Sequence, residues 1–142
     1  MPKFAMLVRA TAVSESGTFP PDMTKLLEDM AAYNATLVDA GVLVAGDGFL
    51  PSSKGARVHF SSTIAPTVTH GPFEPSSLVS GYWIIKAADL DEAISWAKKV
   101  PFKTDESVVE VRQVAGEEDF GDIMTDELKE KDAAMRKKLG NE

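Results

Sequence analysis

The chain's apolar positions change period several times. Phe4 to Arg9 is an apolar run of β-forming residues and predicts a first strand. Thr11 to Pro20 is polar and rich in turn residues, a loop. Pro20-Pro21-Asp22 then opens a helix in which Met23, Leu26, Leu27, Met30, Tyr33, Leu37 and Val38 recur at helical spacing. Gly41 stands at the left-handed position that ends it. Val42 to Leu50 predicts a second strand, interrupted by Gly46 and Gly48, and residues 51–55 a turn. Ala56 to Ser61 alternates, with Ala56, Val58 and Phe60 on one face and Arg57, His59 and Ser61 on the other. Thr67 to Thr69 makes its hairpin return.

Val79 to Lys86 predicts another strand. Asp89 with Glu92 starts a second helix, whose stripe is Leu90, Ala93, Ile94, Ala97 and Val100 and whose stop is Pro101. Ser107 to Val114 is a last strand. Thr125 to Leu139 is a charged helix with a thin stripe of Leu128, Met135 and Leu139.

The order β-α-β, hairpin, β-α-β predicts an α+β protein of the ferredoxin-like plan, with an antiparallel sheet and both helices on one face. Residues 1–115 form that domain. Residues 116–142 are a loop and helix expected to pack on the domain or on a dimer partner. In the last strand Val109 and Val111 suit the covered face, while Val108, Glu110 and Arg112 lie on the other. That mixed face is too apolar to leave in water, so the chain is expected to homodimerise sheet on sheet with polar clefts at the margins.

Composition narrows the chemistry. A formal net charge of -7 argues against nucleic acid or anionic membrane as a partner, because both need clustered cations. No apolar run approaches the ~20 residues that span a bilayer. The absence of cysteine removes disulfides and thiol chemistry, and a cytoplasmic location is the expectation. With His59 and His70 the only histidines and no HExxH spacing, no metal site is expected. No phosphate-cradling glycine loop appears, and no cofactor is expected.

His70 leads the candidate site residues. Gly71 and Pro72 fix it in a turn, and an imidazole titrates near neutral pH, as a general acid or base must. The competing reading is a turn histidine bonded to backbone. Arg9 ends the first strand and can grip an anionic oxygen through two hydrogen bonds, or else pair with Asp47 or Glu110. Asp47, between Gly46 and Gly48, is a base if desolvated and otherwise a bend residue. His59, Arg57, Glu110 and Arg112 are placed on the helix-free face, lining a cleft or forming cross-strand ion pairs. Tyr82 and Trp83 point to opposite faces, one into the core and one towards a pocket wall. Glu74 is read as a surface carboxylate and Trp96 as core.

Several segments together resemble a known family. They are Lys3 to Val8, Ala40-Gly41-Val42-Leu43, Gly46-Asp47-Gly48, Pro51-Ser52, Val68 to Phe73, Gly81-Tyr82-Trp83-Ile84, Glu92 to Ala97 and Glu110-Val111-Arg112. In this order they are similar to the YCII-related proteins of the DGPF type, over roughly residues 1–115. The resemblance implies a dimeric α+β barrel with a ferredoxin-like protomer. It also implies relatives among small enzymes of aromatic degradation and proteins linked to alternative sigma factors. In the YCII branch a histidine–aspartate pair is the suspected acid/base centre. Its aspartate matches His70 here, and its histidine falls near Met30 or Ala31, where this chain has none.

Two functions follow as expectations. The first is a cofactor-independent lyase or isomerase that moves a proton on a small organic acid or enolisable ring in a dimer-cleft pocket. There His70 and Asp47 are catalytic, and Arg9, Arg112, His59 and Tyr82 bind substrate. The second is a non-catalytic ligand-binding or regulatory module. A pocket that holds His70 with Arg9 distinguishes the first from a solvent-facing His70, which suits the second.

Overall fold

A computed structural model describes residues 1–140. Four strands form an open antiparallel sheet: β1 (Lys3–Arg9), β2 (Leu43–Gly48), β5 (Val79–Lys86) and β6 (Val109–Gln113), in the order β2-β5-β1-β6. Every neighbouring pair is antiparallel. Alternation along the strands divides the faces. Phe4, Met6, Trp83 and Ile85 are buried beneath α2 (Met23–Asp39) and α3 (Leu90–Ala97), which contribute Tyr33, Leu37 and Ala93 to the same core. Burying a large apolar side chain of this kind stabilises a fold by about 1.5–3 kcal/mol. The protein is thus a mixed α+β structure with both helices on one side of its main sheet.

The helix ends follow their local chemistry. Gly41 adopts φ 72 after the last turn of α2, a conformation without penalty only for glycine. The Asp89 carboxylate accepts the Glu92 N–H at 2.9 Å, and Glu92 in turn accepts the Ala88 N–H at 2.7 Å. The first satisfies a donor that the first turn of α3 leaves open, and the second ties the residue before the cap to the helix. In α4 (Asp126–Leu139) the Thr125 hydroxyl accepts the Leu128 N–H at 3.2 Å. This last helix buries none of its residues. Its face is laced by Lys131–Glu127 and Arg136–Asp132 pairs at 3.2 and 2.8 Å.

The segment expected to be a loop contains a short helix, α1 (Ala12–Glu15). Thr11 and Ser14 cap one another reciprocally, at 2.8 and 3.2 Å. Serine and threonine favour loops in a helix interior and helix starts at a cap, so residue type alone pointed the wrong way.

The larger correction concerns β3 (Ala56–His59) and β4 (Thr67–His70). They pair only with each other, in a separate two-stranded sheet. Arg57 and His59 therefore do not share the helix-free face with Glu110 and Arg112. The cause lies in the 3-10 turn at Ser52–Lys54, which leads the chain away from the sheet edge after β2. Glu15 holds that turn. Its carboxylate accepts the Ser52 N–H at 3.0 Å and also the Ser52 hydroxyl. The Ser52 oxygen accepts the Phe73 N–H at 2.9 Å. Arg57 lies 3.9 Å from the centre of the Phe73 ring and donates to Ser77 Oγ at 3.0 Å. Gly71 passes so close to the Ser52 carbonyl that a Cβ there would sit 1.9 Å from its oxygen. The Gly71–Pro72 peptide is cis.

Candidate functional site

The site is built where β2 ends and β5 begins. Asp47 lies opposite Tyr82, Tyr82 opposite Leu7, and Leu7 opposite Glu110, so these four form one row across the helix-free face. The Tyr82 hydroxyl donates to Asp47 Oδ2 at 3.1 Å. That bond, helped by burial and by the carboxylate's charge, raises the phenol above its ordinary titration range. The Phe49 ring leans on Tyr82 with centroids 5.7 Å apart. The next row, Ala45, Ile84, Ala5 and Arg112, is mostly apolar.

Alternation turns Trp83 to the other face. Its ring packs edge-on to Tyr33 at 5.4 Å, and its indole N–H donates to Asn34 Oδ1 at 2.8 Å. Beside it opens a cleft of about 390 Å³, lined by Val8, Met30, Asn34, Trp83 and Phe102 together with the Gly46–Gly48 and Ser80–Tyr82 strand ends. Gly46, Gly48 and Gly81 leave those strand ends without side chains. A Cβ on Gly48 would meet no atom within 4 Å, so this glycine borders open space. The lining includes no lysine or arginine. A second cleft, of about 360 Å³, lies between α3 and β6 around Ile94, Phe102 and Val109.

The residues singled out from sequence are dispersed. Asp47 and Tyr82 meet. Arg9 ends β1 opposite Val79, is exposed, and makes no ion pair among the described residues. Arg112 is exposed and lies 3.7 Å from Glu110 on its own strand. His59 Nε2 lies 3.1 Å from Thr69 Oγ1 on the hairpin. His70 ends β4 opposite Ala56, in the separate sheet, and is exposed. Glu74 is exposed and Trp96 half-buried, with the Lys99 ammonium 4.6 Å from its ring centre. No group of three histidine or carboxylate side chains gathers as a metal site among the described residues. No helix among them is long and apolar enough to cross a membrane.

Sequence reasoning passed over Asn34 and Phe102. Asn34 carried a signal, because it follows Met30 by one helical turn on the face that meets a strand tryptophan. A buried indole N–H needs an acceptor.

The model of the YCII-related domain matches residues 3–118, most of the chain. The protein belongs to the YCII-related family. No curated protein matches it. The YCII-related domain thus takes in both sheets, the Asp47–Tyr82 pair and the glycine-lined cleft, and stops short of α4.

Proposed function

We propose that this YCII-related protein is a homodimeric small-molecule-binding protein with a ferredoxin-like protomer, and that it takes an uncharged ring compound into the Trp83–Phe102 cleft. The observation that carries the reading is the cleft itself. It has aromatic and aliphatic walls, a side-chain-free strand edge at Gly48, and no cation in its lining. Sites of this kind enclose small ligands through apolar area and orient them through a few polar groups. The cleft has no cation to offset a ligand carboxylate, so an uncharged ligand fits better. The exposure of His70 on a separate sheet supports ligand binding over imidazole acid/base catalysis. The strand order and the apolar row Ala45–Ile84–Ala5 support the ferredoxin-like, face-to-face dimer.

Ligand-observed NMR with a set of small cyclic ketones, phenols and alcohols tests the proposal, with the wild type beside Gly48→Leu. The leucine fills the cleft from a position where the backbone has room. Compounds that bind the wild type and lose at least tenfold in affinity in the variant support the cleft. No binders, or binders that the variant holds equally well, would overturn it.

One observation favours a catalytic second reading. The Tyr82–Asp47 hydrogen bond joins a carboxylate base, which would take the α-proton, to a phenol that could donate to the enolate oxygen left behind. On an enolisable ring this pair would move the α-proton, with Asp47 as the base. Solvent deuterium exchange at the α-carbon of a bound cyclic ketone reads that step. Loss in Asp47→Asn with retention in His70→Ala would support it; the reverse pattern would return the role to His70.

A further inference from the structure

We infer that Asn34 is the specificity-determining residue of the cleft and that it selects ligands bearing a carbonyl. This deepens the proposed binding reading and depends on it. The inference starts from a donor that has no alternative role. An indole nitrogen can only donate, so the atom that faces Trp83 Nε1 at 2.8 Å must be the amide oxygen of Asn34. The Asn34 amide is thereby locked in one of its two orientations. Its Nδ2 is directed away from the indole, and neither of its hydrogens meets a partner among the described residues.

The lock rests on Trp83. Trp83 is buried in the core and braced edge-on by Tyr33, the residue that precedes Asn34 on α2. Trp83 therefore cannot turn to release the amide oxygen without breaking the core around it. A free asparagine can offer a ligand either its oxygen or its nitrogen. This one offers its nitrogen, a pure donor, beside an apolar wall of Met30, Val8 and Phe102. A site built to donate one hydrogen bond favours a ligand with an acceptor at that point and disfavours the analogue that lacks it. An uncharged ring with an exocyclic or ring carbonyl meets that requirement. An alcohol meets it less well, because its hydroxyl must place a lone pair and not its proton towards Nδ2. A hydrocarbon does not meet it.

The test compares two ring compounds that differ at one carbon, para-hydroxyacetophenone and para-ethylphenol. Binding is followed by the indole N–H cross-peak of Trp83 in heteronuclear NMR, assigned with a Trp96→Phe variant. The wild type should bind the ketone about tenfold more tightly, the worth of one hydrogen bond. Asn34→Asp keeps an oxygen for Trp83 but replaces the amide donor with an acceptor. Its Trp83 cross-peak should remain in place while the preference for the ketone disappears. A wild type that binds both compounds equally, or an Asn34→Asp variant that keeps the preference, would overturn the role of Asn34. Gly48→Leu separates the two layers. If it abolishes binding of both compounds while Asn34→Asp changes nothing, the cleft stands and the carbonyl selectivity falls. If Gly48→Leu leaves both compounds bound, the cleft and the selectivity fall together.

Discussion

The Tyr33 hydroxyl donates to the Trp96 carbonyl at 2.8 Å and so ties α2 to α3 across the top of the core. The residues are far apart in sequence, and the bond closes the layer that covers Phe4, Met6 and Ile85. The same carbonyl also accepts the Lys99 N–H at 3.0 Å, so the tyrosine adds a second bond at the end of α3.

A pH dependence follows. Burial pushes Tyr33 from 10.0 up to about 12. The folded state holds the proton more tightly than the unfolded chain, so the contribution is complete below pH 10.0 and lost as the pH rises towards about 12. Tyr33→Phe should cost about 0.5–1.5 kcal/mol at neutral pH, the usual worth of one hydrogen bond. Urea denaturation across the alkaline range should show the wild type losing its advantage over the variant in that window. A constant difference between them would disprove the linkage.

Gly71→Ala is expected to damage the anchoring of the hairpin. The added methyl would meet the Ser52 carbonyl, a backbone group that no rotamer can move aside. Overpacking of this kind costs about 1–3 kcal/mol. Thermal unfolding should register the loss, and Gly71→Ala should be worse than Gly48→Leu despite its smaller side chain.

Glu15→Ala should loosen the hairpin while leaving the main sheet intact. The carboxylate is the group that holds Ser52, and Ser52 holds Phe73. Hydrogen exchange at the Gly71 amide, bonded to the Gly55 carbonyl at 3.0 Å, should accelerate in the variant. Amides of β1 and β5 should keep their protection. Equal acceleration in both sheets would show that Glu15 supports the whole fold.

Ile84→Lys tests the dimer. Ile84 is half-buried on the helix-free face, next to Ala5 and Ala45. Light scattering at micromolar concentration should give a dimer mass for the wild type and a monomer mass for the variant. A monomeric wild type would leave that face without a partner.

Most of the main sheet was legible because its strands are short apolar runs of β-forming residues, and Val79–Lys86 is observed with the bounds its pattern predicts. The cap at Asp89 and the glycine stop at residue 41 were equally readable, since each is local chemistry. Alternation, however, says which way a side chain points and not which sheet its strand joins. That is why Arg57 and His59 were assigned to a face they do not share. The contacts that divert the hairpin link residues 15, 52 and 73, and no periodicity records such a meeting. The site divides in the same way. Asp47 and Tyr82 stand out as residues, but their opposition depends on strand register. Asn34 and Phe102 come from a helix and a loop and meet only through the packing around Trp83.

Nine acidic and five basic residues lie beyond Gly116, most of them in the segment that leads into and forms α4. More than half of the chain's excess negative charge of -7 therefore belongs to the tail. The remaining 116 residues carry a net charge of -3. That part exerts only a modest field, so salt should have little effect on its encounter with an uncharged molecule. Most of the chain's net charge and the glycine-lined cleft thus lie in different stretches of the same chain.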